Sequence, residues 1–224
     1  MGLETEGYCI VPRALTESAC DALIAALEPE AEEEVALSQR GGAVFARRNL
    51  AAHPAVVTLA NSTEVALLLP ERLRLVRAIL FDKVPGANWP VPWHQDLSII
   101  VRERVELEGW GPWSTKAGCL HVQPPAEFLE RLLALRVHLD DCPEANGALR
   151  VLPGTHKLGR IAAERVAELR AEIPERVCPA HKGDVLLMRP LLLHASSPAS
   201  EPTHRRVLHL EFAQEDLLPP ELSW

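Results

Sequence analysis

The chain is short of several things, and each shortage closes off a class of protein. Its five cysteines (Cys9, Cys20, Cys119, Cys142, Cys178) form no Cys-x-x-Cys pair. An odd, scattered set argues against a disulfide framework or a zinc site and for reduced thiols in the cytoplasm. Basic residues are outnumbered, with 23 Lys and Arg against 31 Asp and Glu and a net charge of −8. No nucleic-acid partner is expected, because phosphate binding wants a basic face. No apolar run approaches the length that crosses a bilayer, and the acidic opening Met1 to Glu6 lacks the regions of a secretory signal, so no membrane partner is expected. Internal repeats and low-complexity linkers are also missing.

What is present suits one domain over residues 1–224, since 47% of its 224 residues are apolar. Thr16 to Leu27 predicts an amphipathic helix, with Ser18 and Asp21 as a capping box and Cys20, Leu23, Ile24 and Leu27 on one stripe. Pro54 predicts the start of a second helix running to about Leu69 and ended by Pro70, giving a helical region over 14–70. The acidic run Glu28 to Glu34 reads as a solvated surface. Strands are predicted at Leu75 to Val84, Pro92 to Val101, Leu135 to Leu139, Ala148 to Leu152, Asp184 to Met188 and Arg205 to Phe212. Short helices are predicted at Ala126 to Leu133 and Ile161 to Ala171. Turn signals stand at Pro85-Gly86, Asn146-Gly147, Pro153-Gly154 and Lys182-Gly183-Asp184. Helices followed by many short strands predict a mainly β fold, a barrel or jelly roll over 74–213 with helices outside it. Residues 98–134 form a long connection with two of the five tryptophans, which predicts a lid insertion rather than disorder.

The chemistry concentrates in Pro92-Trp93-His94-Gln95-Asp96. On a strand, His94 and Asp96 leave the same face. A second imidazole from His194 would complete two nitrogens and one carboxylate on one side of a metal, the open arrangement of non-haem Fe(II) oxygenases. The planar fork of Arg205 suits a carboxylate of a dicarboxylate cosubstrate. His138-Leu139-Asp140 and His209-Leu210-Glu211 have the same spacing, so the pattern alone does not choose.

Trp93-His94-Gln95-Asp96-Leu97, Asn146-Gly147-x-Leu149, Pro153-Gly154-Thr155-His156-Lys157, Lys182-Gly183-Asp184 and His194-x-Ser196 occur in that order. Together they resemble the phytanoyl-CoA dioxygenase family, over roughly residues 75–213. The resemblance implies a double-stranded β-helix of jelly-roll or cupin type, with Fe(II), 2-oxoglutarate and O2 as reactants. It places the iron on His94, Asp96 and His194, demotes His138-x-Asp140, and puts the cosubstrate arginine at Arg205 rather than Arg206. In β alternation Arg206 shares parity with Leu208, Leu210 and Phe212, whereas Arg205 goes with His209 and Glu211. Ser196 would assist Arg205, with Lys83, Asn88 and Arg136 as further cosubstrate contacts. Arg77 is unusual on an apolar strand and reads either as a salt bridge with Asp82 or Glu211 or as an anion contact. Trp89, Trp93, Trp110, Trp113, His121 and Gln123 are the candidates to wall the substrate pocket.

The implied function is a dioxygenase that hydroxylates a small organic molecule and releases succinate and CO2. Asp96 favours hydroxylation, because iron halogenases of this class carry a small residue there. The alternatives are a jelly-roll binding module without turnover and a cupin-type metalloenzyme that does not use 2-oxoglutarate. Members of the family act on acyl-CoAs, amino acids, compatible solutes and natural products, so the resemblance leaves the substrate open.

Overall fold

Alternation along three long strands gives one sheet an apolar outer face and a polar inner one, and that division places the site. The computed structural model describes residues 2–28, 36–40, 43–69, 73–84 and 86–224. The first part of the chain forms α1 (Gly2–Glu6), β1 (Tyr8–Val11), α2 (Glu17–Ala26), β2 (Ala36–Arg40), β3 (Ala43–Arg48), α3 (Pro54–Ala60) and α4 (Thr63–Ala66). Next come β4 (Arg74–Lys83), β5 (Val91–His94), β6 (Ile99–Val101), β7 (Trp113–Lys116), β8 (Cys119–Val122) and α5 (Ala126–Leu129). The remainder forms β9 (Leu133–His138), β10 (Leu149–Val151), α6 (Ala163–Glu172), β11 (Arg176–Cys178), β12 (Val185–Met188), β13 (His194–Ser196) and β14 (Arg205–Ala213).

The strands make a seven-stranded sheet in the order β1-β12-β9-β14-β4-β3-β2, a four-stranded sheet β11-β10-β13-β5, and a three-stranded sheet β6-β8-β7. The large and four-stranded sheets pack through Ala134, Leu186 and Met188 against Leu149, Val151 and Cys178. This mainly β, antiparallel architecture with flanking helices is the predicted one.

Outward from the large sheet point Leu133, Leu135 and Val137 of β9, Ala78 and Leu80 of β4, and Leu208, Leu210 and Phe212 of β14. Leu23 and Leu27 of α2, with Val56, Leu59 and Val65 of α3 and α4, cover them, and each large buried side chain contributes about 1.5–3 kcal/mol. The alternate residues face inward, Arg136, Arg205, His209 and Glu211 buried and Arg77 half-buried.

Several boundaries differ from the sequence patterns. Thr16, not Ser18, caps α2, its hydroxyl accepting from Ala19 N at 3.2 Å. The helix expected from Pro54 to Leu69 is two short ones. Asn61 stops the first, donating from its carboxamide to Val57 O at 2.8 Å, and Ser62 caps the second by accepting from Val65 N. The strand expected over Pro92 to Val101 breaks between β5 and β6, where the Gln95 side chain is drawn into backbone contacts. Residues 98–134 fold as the small sheet plus α5, with their own apolar cluster around Ile99, Val122, Phe128 and Leu132. Pro70, Pro85 and residues 29–34 of the acidic run lie outside the described residues.

The Lys182-Gly183-Asp184 turn docks the N-terminal segment. The Asp184 carboxylate accepts from Arg13 N at 2.9 Å and His181 N at 2.8 Å, and Gly183 O accepts from Leu15 N. A Cβ on Gly183, whose φ is +89°, would collide with Leu15 O. No helix among the described residues is long and apolar enough to cross a membrane.

Candidate active site

His94 closes β5 and His194 opens β13, and the two are paired in the ladder with ring centroids 4.2 Å apart. The Nδ1 of His94 lies 2.8 Å from Pro92 O and that of His194 lies 2.9 Å from Leu192 O. A carbonyl only accepts, so each Nδ1 carries the hydrogen and each Nε2 keeps its lone pair. Asp96 follows on the same face, its backbone N–H donating to Pro190 O at 2.9 Å. Its Oδ1 is 3.8 Å from His94 Nε2 and its Oδ2 is 3.7 Å from His194 Nε2. One donor atom from each of the three residues lies within 4.8 Å of the others, so the group can hold a metal ion. Two neutral imidazole nitrogens and one carboxylate are the donor set of open-sided Fe(II) sites, and these residues fit that ion.

Between them, Gln95 faces the other way and fixes the strand end. Its Nε2 donates to Gly159 O at 2.9 Å and Leu191 O at 2.6 Å, and its Oε1 accepts from Ile161 N at 2.8 Å. The Pro-Gly-Thr turn braces the opposite strand, where Thr155 Oγ1 accepts from Leu193 N at 3.0 Å.

Burial raises the Asp96 carboxyl, but His194, His209, His94 and Arg77 outweigh it and hold the group well below the usual carboxylate range. Burial, partly offset by Asp96, pushes His194 down to about 4, so its imidazole is neutral near pH 7.

The trio opens on a cavity of about 360 Å³. Arg205 lines it from β14 and donates to Gly147 O. Arg206 instead forms a two-pronged ion pair with Asp140, at 2.8 Å from Nε and 2.7 Å from Nη2. That pair removes Asp140 from the rival His-x-Asp motif. The rival histidine, His138, donates from Nδ1 to Asp184 O, and burial together with Arg136 pushes it down to about 4.

Ser196 also lines the cavity and accepts from Lys83 Nζ at 3.1 Å. Lys83 is fully buried, donates to Ser197 O at 2.7 Å, and lies 5.3 Å from the centre of the Trp89 ring. Burial, reinforced by Arg205, pushes its ammonium down to about 7. Gly147 makes this corner: a Cβ there would meet Ser197 O at 2.7 Å and Lys83 Nζ at 3.4 Å.

Along the inner face runs a polar chain. Arg136 Nη1 donates to His209 Nδ1 at 3.4 Å, and His209 Nε2 donates to Glu211 Oε1 at 3.3 Å. Arg77 Nη1 donates to the same oxygen at 2.9 Å and to Ser98 O at 3.3 Å. The expected Arg77 ion pair is thus with Glu211, while Asp82 pairs with His204.

Of the pocket candidates, Trp89 and Arg77 line the cavity and five others do not. Trp93 neighbours His94 in sequence, so the strand turns it to the opposite face, where Arg150 and Arg170 stack on it at 5.4 and 5.6 Å. Trp110 packs edge-on to Phe128 at 5.2 Å, and Trp113 sits in the same small core. His121 is buried and donates from Nδ1 to Cys119 O at 3.0 Å. Gln123 pairs through its backbone with Gly111 and Pro112. Of the cosubstrate candidates, Asn88 is held on Ala199, donating to its O and accepting from its N, and does not line the cavity. Lys83 stands behind Ser196. The patterns missed Phe45 and Arg48 of β3, Phe81, and the polar chain through His209. Only the alternation of Arg205, His209 and Glu211 signalled any of these.

A family model described as phytanoyl-CoA dioxygenase matches residues 3–207. No curated protein matches the chain significantly. The structure of AviO1 from Streptomyces viridochromogenes Tue57 is similar, at 22% identity over 97% of this chain and 94% of that one, with a TM-score of 0.68. EctD from S. alaskensis, with 2-oxoglutarate and 5-hydroxyectoine, is 18% identical over 95% of this chain and 73% of that one, with a TM-score of 0.71. HygX from Streptomyces hygroscopicus, with nickel and 2-oxoglutarate bound, is 17% identical over 96% and 85%, with a TM-score of 0.65. At these identities the likeness is one of fold.

Proposed function

The chain belongs to the phytanoyl-CoA dioxygenase family, a family of Fe(II)- and 2-oxoglutarate-dependent oxygenases, and we propose that it hydroxylates a small organic molecule with release of succinate and CO2. His94, Asp96 and His194 hold the iron in this reading. The observation that carries it is the meeting of that trio with Arg205 in one cavity. Bound iron would supply activation of O2, which is the oxidant and takes two electrons from decarboxylation of the cosubstrate and two from the substrate. The chain's own residues bind, orient and exclude water. Arg205 and the Ser196 hydroxyl hold the far carboxylate of 2-oxoglutarate, and Lys83 keeps Ser196 in place. Arg136 faces the same cavity and offers a second cationic group to the cosubstrate. Backbone carbonyls of Pro92 and Leu192 keep both imidazoles in the ligating tautomer. Asp96 fills the carboxylate position, which favours hydroxylation over halogenation. The five free thiols support a reducing compartment, and we assign the chain to the cytoplasm.

Anaerobic titration with Fe(II) and then 2-oxoglutarate tests the reading. A weak visible absorption band that needs both additions, is lost in His94→Ala and survives in His138→Ala is the expected result. Iron binding without such a band overturns the 2-oxoglutarate assignment and favours a cupin-type enzyme.

A further inference from the structure

The inner face of the large sheet keeps one carboxylate oxygen that neither the metal trio nor the cosubstrate end uses. Glu211 is buried on β14, and both of its donors, Arg77 Nη1 at 2.9 Å and His209 Nε2 at 3.3 Å, fall on Oε1. Oε2 has no hydrogen-bond partner among the described residues, is not sealed from solvent, and belongs to a side chain that lines the cavity. A largely buried carboxylate with one oxygen unsatisfied is costly unless a ligand donates to it.

Ser98 stands beside it. The Arg77 nitrogen that donates to Glu211 also donates to Ser98 O at 3.3 Å, so the two residues meet on one guanidinium corner. Ser98 lines the cavity too, and its hydroxyl makes no hydrogen bond among the described residues. The corner adjoins the metal trio: Ser98 follows Asp96 by two residues, and Arg77 and His209 help to hold the Asp96 carboxylate charged. Because Arg77 neutralises Glu211, the pair does not call for a full cation. A hydroxyl group suits it better, since its O–H can donate to Oε2 while its oxygen accepts from Ser98.

Elsewhere the lining is apolar and aromatic. Phe45 and Trp89 pack with ring centroids 4.5 Å apart, and Phe81 and Val91 line the same cavity. Asn49, just after β3, donates from Nδ2 to Ala117 O at 3.2 Å and accepts from the Cys119 thiol at 3.1 Å, which ties the Phe45 strand to the β7–β8 hairpin. Lys116, exposed near the tip of that hairpin, also lines the cavity, so this junction is part of its rim.

We propose that Glu211 and Ser98 form a hydroxyl-binding subsite, that Arg77 positions both, and that the substrate is a neutral alcohol on an apolar body. The inference rests on the oxygenase reading for the word substrate, but not for the hydroxyl site itself.

The test titrates benzyl alcohol, benzyl methyl ether and benzylammonium into the metal-free protein and into the anaerobic protein loaded with Fe(II) and 2-oxoglutarate. Binding is followed by calorimetry in both and by perturbation of the visible band in the second. The alcohol donates and accepts, the ether only accepts, and the ammonium only donates. The alcohol is expected to bind about threefold to tenfold more tightly than either, the scale of one net hydrogen bond. Glu211→Gln lets the amide oxygen take Arg77 and turns its NH2 to the cavity, so the alcohol's lead over the ether should vanish. Ser98→Ala should weaken alcohol and ether alike, about threefold, and leave their ratio intact. The 2-oxoglutarate midpoint should stay put in both variants, which a general loss of structure would not allow. Equal binding of alcohol and ether by wild type, an unchanged ratio in Glu211→Gln, or unchanged affinities in Ser98→Ala would overturn the proposal. Where Glu211→Gln fails to fold, the wild-type ranking and Ser98→Ala still decide it. If the band never forms but the metal-free protein prefers the alcohol and loses that preference in Glu211→Gln, the oxygenase reading falls and the hydroxyl site stands.

Discussion

His94 and His194 face each other across the β5–β13 ladder, and each imidazole is anchored through Nδ1 to the carbonyl two residues before it. Two adjacent strands therefore present two Nε2 atoms with the same tautomer and nearly the same height. Asp96, the third member of the trio, comes from the irregular segment directly after β5.

Arg205 and Arg206 make opposite predictions. Arg205→Gln is expected to raise the 2-oxoglutarate requirement about thirtyfold or more, since truncating one side of a buried charge pair costs about 2 kcal/mol or more. Arg206→Gln breaks only the Asp140 ion pair and should leave the requirement unchanged. Steady-state KM values for 2-oxoglutarate check both, and equal effects would count against the assignment of Arg205.

Lys83 ties cosubstrate affinity to pH. Its ammonium is pushed down to about 7, so it is charged below that pH and neutral above it. Cosubstrate affinity should weaken about threefold to tenfold as pH rises through 7, because the bond to Ser196 loses its charge assistance. In Lys83→Met the same titration should be flat between pH 6 and 8.5 (a range set by the ordinary width of one titration).

His138 predicts acid sensitivity of the metal-free protein. Its folded value is about 4 while an unfolded histidine titrates near 6.5, so the unfolded chain binds the extra proton first as pH falls. Stability is complete above about 6.5 and declines toward 4, with a loss of order 2–3 kcal/mol. Urea unfolding of wild type and His138→Phe at pH 7 and pH 5 measures it, and the variant should show the smaller difference.

Gly147→Ala should destabilise by about 1–3 kcal/mol, because the site combines positive φ with an approach of 2.7 Å to Ser197 O. Gly118→Ala is the control, since its φ is also positive but nothing lies within 4 Å of its Cβ. The excess of the first over the second, read from denaturant midpoints, is the steric part.

Much of this site was legible, because β alternation is a strict rule where one face is buried. The parity that joined His94 to Asp96 also separated Arg205 from Arg206, and the polar inner face agrees with both. The same rule, applied to Trp93, would have sent it away from the metal, since it is one residue from His94. Arg48 and Phe45 were out of reach for another reason. They stand on a strand that joins the sheet through two Cα pairings with β4, Ala46 to Phe81 and Arg47 to Leu80. Nothing local in a six-residue strand says which sheet edge it will join. Trp110 and Trp113 fall in a long connection whose sequence predicts a lid insertion but not where its aromatics point, and residues 98–134 turn them into an apolar cluster with Phe128.

Asn49, just after β3, joins the loop leaving the large sheet to the tip of the β7–β8 hairpin through Ala117 O and the Cys119 thiol, and loops and hairpin tips are the parts of a β protein that accept exchange and insertion most readily. The paired histidines, by contrast, are locked by ladder register and by the three contacts of Gln95. Natural variation or laboratory evolution can therefore reshape the entrance one residue at a time while the reactive end stays aligned. The molecule is built like a tool with a fixed shank and an interchangeable jaw.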